Sequence, residues 1–68
     1  MIKWYCEDGN DNCIDIFNAK KDAKAFTERN EKVLEIHKYN YIFKNRKLKD
    51  IKHLGCVWKK PGWNGFAV

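Results

Sequence analysis

The sequence predicts a small α+β fold, an antiparallel sheet with one main helix packed on it. Three observations point there. Two short stretches with strand-like alternation near the N-terminus flank a run of turn formers. Residues 19–29 then place apolar side chains at helical spacing, and residues 32–43 are rich in Val, Ile, Tyr and Phe. The expected order is ββαβ, followed by a short second helix or a strand and a small C-terminal hairpin. At 68 residues the chain is expected to form a single small domain over 1–68.

The first strand is expected over Ile2 to Cys6, with Ile2, Trp4 and Cys6 on one face. Glu7 to Asn12 is dense in turn formers, and Cys13 to Phe17 returns as the second strand, with Ile14 and Ile16 facing inward. Pairing Ile2 with Ile16 and Trp4 with Ile14 is the expected register of this hairpin. It points Cys6 and Cys13 to opposite faces. Asn18 stands where a helix N-cap belongs, Ala19, Ala23 and Phe26 form a narrow apolar stripe, and Asn30 is a left-handed terminator. The helix therefore runs roughly from Ala19 to Arg29.

Lys32 to Phe43 reads as the clearest strand. Leu34 and Ile36 share one face and Tyr39, Tyr41 and Phe43 the other, so a bulge near His37–Lys38 reconciles the two halves. After a turn at 44–47, Leu48, Ile51 and Leu54 have helical spacing and Gly55 is placed to close a short helix. The alternative is a strand pairing back on 32–43. Cys56 to Lys60 reads as a strand, Pro61-Gly62 as a turn, and Trp63 to Val68 as a last short strand.

Composition narrows the function classes. There is no serine, which removes serine nucleophiles. The four glycines, Gly9, Gly55, Gly62 and Gly65, are scattered, so no phosphate-cradling loop or dinucleotide fingerprint occurs. A Cys–His pair drawn from Cys56 and His37 or His53 is a formal nucleophile, but so short a chain seldom adds a substrate pocket. His37, Tyr39, Tyr41 and Arg46 are the set that a small basic ribonuclease would use on an open sheet. The plainer reading is a strand that happens to carry them. The expectation is that the chain is not an enzyme and needs no cofactor.

Cys6, Cys13, His53 and Cys56 invite a zinc reading through the knuckle-like spacing of His53 and Cys56. The wide Cys6–Cys13 spacing and the opposed faces argue against it, so no metal site is expected. Three cysteines cannot complete a set of intramolecular disulfides. The N-terminal residues lack the apolar stretch of an export signal and no run is long enough to span a bilayer. A cytoplasmic protein with free thiols and no membrane partner is therefore expected. The Lys, Asn and Ile richness is that of AT-rich coding sequence, as in many phages, plasmids and low-GC bacteria.

The charge is unevenly placed. Residues 1–35 carry six bases against eight acids, and residues 36–68 carry eight bases against one, Asp50, within a net +5. Such asymmetry suggests an anionic partner. Two functions fit. The first is a small accessory or inhibitor protein, encoded by a phage or mobile element, that binds a larger protein with an acidic surface. Its anchors would be Tyr39, Tyr41, Trp58, Trp63 and Phe66, and a homodimer is a related state. The alternative is a non-specific nucleic-acid-binding module on the basic segment 44–60. Here Lys44, Arg46, Lys47, Lys49, Lys52, Lys59 and Lys60 would hold phosphates and the rings would stack on bases.

Overall fold

The computed structural model describes residues 1–63. Five elements follow one another: β1 (Ile2–Glu7), β2 (Cys13–Phe17), α1 (Lys20–Arg29), β3 (Glu35–Lys44) and β4 (Lys47–Lys59). The strands make one antiparallel sheet in the order β2-β1-β3-β4. The architecture is α+β as expected, with the order ββαββ where ββαβ and a short helix were predicted. Lys47 to Lys59 is one continuous strand, so the strand alternative holds and the helix over Leu48–Leu54 does not. The turn at Pro61-Gly62 is present, with Trp63 N–H donating to the Lys60 carbonyl. The last strand expected over 63–68, and Phe66 with it, lies outside the described residues beyond Trp63.

Helix α1 packs on β1 and β2. The side chains between them form the core: Cys6, Ala23, Val33 and Ile36 are fully or almost fully buried, with Trp4, Ile14, Phe17, Phe26, Val57 and Trp58 around them. Ala23 lets the helix come close, and the Cys6 thiol donates to its carbonyl oxygen at 3.7 Å. Burial pushes the Cys6 thiol up to about 11, so it is an inert core group. Phe17 and Phe26 join the outer strand to the helix, ring centroids 5.2 Å apart. Lys24 lies over the Trp58 ring at 5.5 Å from its centroid.

Several local expectations are corrected. The N-cap is Ala19 rather than Asn18, without a side-chain cap, because the Asn18 oxygen accepts from Lys3 Nζ instead. Asn30 is extended at φ −138° rather than left-handed, and it ends the helix by accepting from the Lys32 and Val33 amides. The β1–β2 register pairs Trp4 with Phe17, Tyr5 with Ile16 and Glu7 with Cys13, so Trp4 meets a residue three positions beyond the expected Ile14, and Ile14 itself is the extra residue of a bulge. Cys6 and Cys13 still face opposite ways, since Cys6 lies in the core and Cys13 opposes Glu7 on the other face.

The bulge predicted in β3 is absent from it. β3 is regular, and β4 has 13 residues against its 10. The register shifts at three places, each with an extra residue in β4: Lys49, Leu54 and Val57. Gly55, beside the second of these, sits at φ +121°, a conformation L side chains rarely adopt. The β3–β4 connection is a two-residue turn with Asn45 and Arg46 at φ 53° and 66°, the twist that a tight hairpin needs.

Candidate functional site

The regular alternation of β3 assigns every neighbouring side chain to one of two faces. Ile36 is in the core, so Lys38, Asn40, Ile42 and Lys44 share the helix side of the sheet. Glu35, His37, Tyr39, Tyr41 and Phe43 share the face the helix leaves open. Cross-strand pairing adds Lys3, Tyr5, Glu7, Cys13 and Ile16 to that open face from β1 and β2, and Leu48, Ile51, His53, Cys56 and Lys59 from β4.

Six rings run across the open face in contact. Phe43 lies 6.5 Å from Tyr41 and Tyr41 6.3 Å from Tyr5, centroid to centroid. Tyr5 lies 4.3 Å from Tyr39, Tyr39 4.9 Å from His53, and His53 5.0 Å from His37. The Tyr5 and Tyr41 hydroxyls hydrogen-bond to each other. Burial raises the Tyr5 and Tyr39 phenols above their usual range.

One end of this tier is polar and tightly bonded. His37 Nε2 donates to Glu35 Oε1 at 2.7 Å, and His37 Nδ1 meets His53 Nε2 at 2.8 Å. With His37 neutral, its Nδ1 accepts from the His53 N–H. Trp63 Nε1–H donates to the other Glu35 oxygen at 3.0 Å. The bonds from His37 and Trp63 hold the Glu35 carboxyl below the usual range. Glu7 lies 4.0 Å from His37 Nε2, and burial pushes its carboxyl up.

The other end is apolar and exposed. The hairpin projects beyond β1, whose pairing with β3 reaches Asn40, and whose leading Met1 carbonyl accepts from the Tyr41 amide. Beyond that point, among the described residues, the two strands pair only with each other. Phe43, Leu48 and Ile51 stand 48%, 48% and 42% exposed on the open face of this ribbon, and the bulged Leu54 is 50% exposed.

The residues expected to form a partner surface are thus divided. Tyr39 and Tyr41 are in the ring tier. Lys44, Lys47 and Lys52 lie on the opposite face, since Lys44 pairs with Lys47 and Asn40 with Lys52. Arg46 is at the tip and Lys49 is bulged. Trp58 packs on the core, and Trp63 caps Glu35 with its ring end close against Gly9. Lys59 pairs with Glu35, and Lys60 Nζ donates to the Glu31 carbonyl. Tyr5, Glu7, Glu35 and His53 belong to the site and were not expected there.

The four residues of the zinc reading do not converge, because Cys6 is in the core and Cys13 lies on β2, with two strands between it and His53 and Cys56 on β4. The acidic loop uses its chemistry internally. Asp8 Oδ1 accepts from the Asn10 and Asn12 amides at 2.8 and 3.1 Å, and these bonds lower its carboxyl. Among the described residues no helix is long and apolar enough to cross a membrane. No family model matches the chain, and neither a curated protein nor a solved structure does.

Proposed function

We propose that the protein is a non-enzymatic binding protein that docks a larger, acidic protein on the projecting β3–β4 hairpin and the open face beside it. The observation that carries this reading is the separation of the rings from the lysines of the projecting hairpin. A single strand of nucleic acid held by stacking needs cations beside its aromatic platform. Here the tier has Glu7 and Glu35 beside it, Lys59 is set against Glu35 and Lys3 is bonded to Asn18, while Lys38, Lys44, Lys47 and Lys52 face the other way. A folded partner that grips the ribbon meets both faces, apolar contacts on one and charge pairs on the other.

The same charges select between a foreign partner and a second copy. Among the described residues β4 is paired on one side only. An unpaired edge strand is a template for strand addition. Two copies adding edge to edge over 47–52 would set segments of three lysines (Lys47, Lys49 and Lys52) and one acid, Asp50, side by side, and like charges set opposite one another are destabilising. An acidic strand or surface has no such penalty.

The test captures proteins on the immobilised chain, then remeasures binding with the purified captured protein. The expected partner is acidic, and its affinity falls at least tenfold with Phe43→Ser/Ile51→Ser and with Lys44→Glu/Lys47→Glu. Affinity untouched by either variant refutes the docking surface. Binding of single-stranded RNA or DNA at physiological salt, weakened by the lysine changes, would install the nucleic-acid alternative. A dimer in solution that Leu48→Ser dissociates would install self-association.

A further inference from the structure

The polar end of the open face brings together a second kind of chemistry. Ligand atoms of Glu35, His37 and Cys56 all lie within 4.8 Å of one another. His37 and Cys56 are paired directly across β3 and β4, and Glu35 is two residues from His37 on the same face. All three are thus fixed by strand pairing rather than by a mobile loop. We propose that Glu35, His37 and Cys56 form a three-ligand site for a borderline divalent cation of the Zn2+ class.

The donor set is the argument for the ion. A thiolate, an imidazole nitrogen and a carboxylate oxygen are the three ligand types zinc takes in proteins, whereas Ca2+ and Mg2+ take oxygen alone. Tetrahedral bonds of about 2.0–2.3 Å place ligand atoms about 3.3–3.6 Å apart. The Glu35–His37 contact, 2.7 Å at present, widens to that spacing when the ion replaces the proton between them.

Supporting groups are already in position around the ligands. With the ion on Nε2, His37 carries its proton on Nδ1 and donates it to His53 Nε2, which lies 2.8 Å away. Trp63 Nε1–H holds the Glu35 oxygen that the ion does not need. Three protein ligands leave a fourth position, and His53 and Cys56 are both exposed on that side of the sheet. The site is therefore of the open kind, with water or a donor from another molecule completing it.

Partner docking and cation binding are separate properties, and the test needs only the isolated protein. Reduced, metal-free chain is titrated with Co2+, which gives a thiolate-to-cobalt charge-transfer band when a cysteine is bound. One equivalent should produce the band and Zn2+ should abolish it. Cys56→Ser should remove it and Cys13→Ser should leave it, while His37→Gln and Glu35→Gln each weaken binding at least tenfold. In the unaltered protein, one equivalent of Zn2+ should slow alkylation of Cys56 at least tenfold and leave Cys13 unprotected, which needs no variant to fold. No band and no protection, or a band that depends on Cys13 instead of Cys56, would overturn the proposal.

Discussion

The two ends of the β3–β4 hairpin are built from similar residues and do different things. At one end Ile36 is fully buried, with Trp58 opposite and Val33, Cys6 and Ala23 around it. At the other, Phe43 and Leu48 face each other across the same two strands with about half of each side chain in water. The first end has a sheet of four strands and a helix over it. The second is a bare ribbon, and an isolated two-stranded hairpin is marginal in water. Burial thus depends on what lies over a face, and apolar side chains of equal quality stabilise the fold at one end only. The surface proposed to meet a partner is the part of the hairpin that the protein's own core does not use.

This contrast can be broken first at its buried end. Ile36→Ala leaves a cavity beside the helix and should cost about 2–5 kcal/mol, read from urea unfolding. In a domain whose total stability is only ~5–10 kcal/mol, that is a large fraction. A loss below 1 kcal/mol would mean that the helix side is not the main core.

Next comes the seam between the two ends. Gly55→Ala forces a β-carbon into a φ of +121° with no atom near enough to clash, so its cost is purely conformational, about 1–3 kcal/mol. No loss on denaturation would show that β4 relaxes its bulge freely. At the tip the sign reverses. Arg46 holds a left-handed φ of 66° that Gly adopts without strain, so Arg46→Gly should stabilise by about 0.5–1 kcal/mol. Amide exchange in the ribbon over 42–51 should slow in that variant. Exchange unchanged or faster would mean the turn is not what limits the ribbon.

The mildest perturbation is one of pH. Burial raises the Glu7 carboxyl, so the folded chain takes up its proton before the unfolded chain does as pH falls. Stability from this group is therefore full below the unfolded value of about 4.3 and is lost as pH rises through the raised folded value. Glu35, held low by His37 and Trp63, has the opposite sign: its contribution is present above the unfolded value and lost as pH falls through the depressed one. Glu7→Gln should raise the urea midpoint at neutral pH, with the gain vanishing below about pH 4. A gain that persists at acid pH would assign the effect to packing instead.

Most of the layered fold could be read from the sequence because its apolar pattern is simple. Alternation at Ile2, Trp4 and Cys6 gave β1, the stripe of Ala23 and Phe26 the helix, and Tyr39, Tyr41 and Phe43 one face of β3. β4 was hidden by its bulges. An extra residue at Lys49 puts Leu48 and Ile51 on one face at a spacing of three, and the bulged Leu54 continues the same spacing, which imitates a helix turn. The site was hidden for a related reason. Tyr5 meets His37 and Tyr39 meets His53 only across strands, so the ring tier and the Glu35–His37–Cys56 group exist once the register is known. The lysines were visible, but their face was not, because face follows from a register that bulges reset.

We propose that the ribbon's apolar side chains serve a partner and not the fold. The most direct test is the unfolding free energy of Phe43→Ser/Leu48→Ser, measured together with partner capture. The account predicts a change of only about 0.5 kcal/mol or less, as for surface positions, with capture lost. A loss of about 2 kcal/mol or more, or capture that survives unchanged, would contradict it.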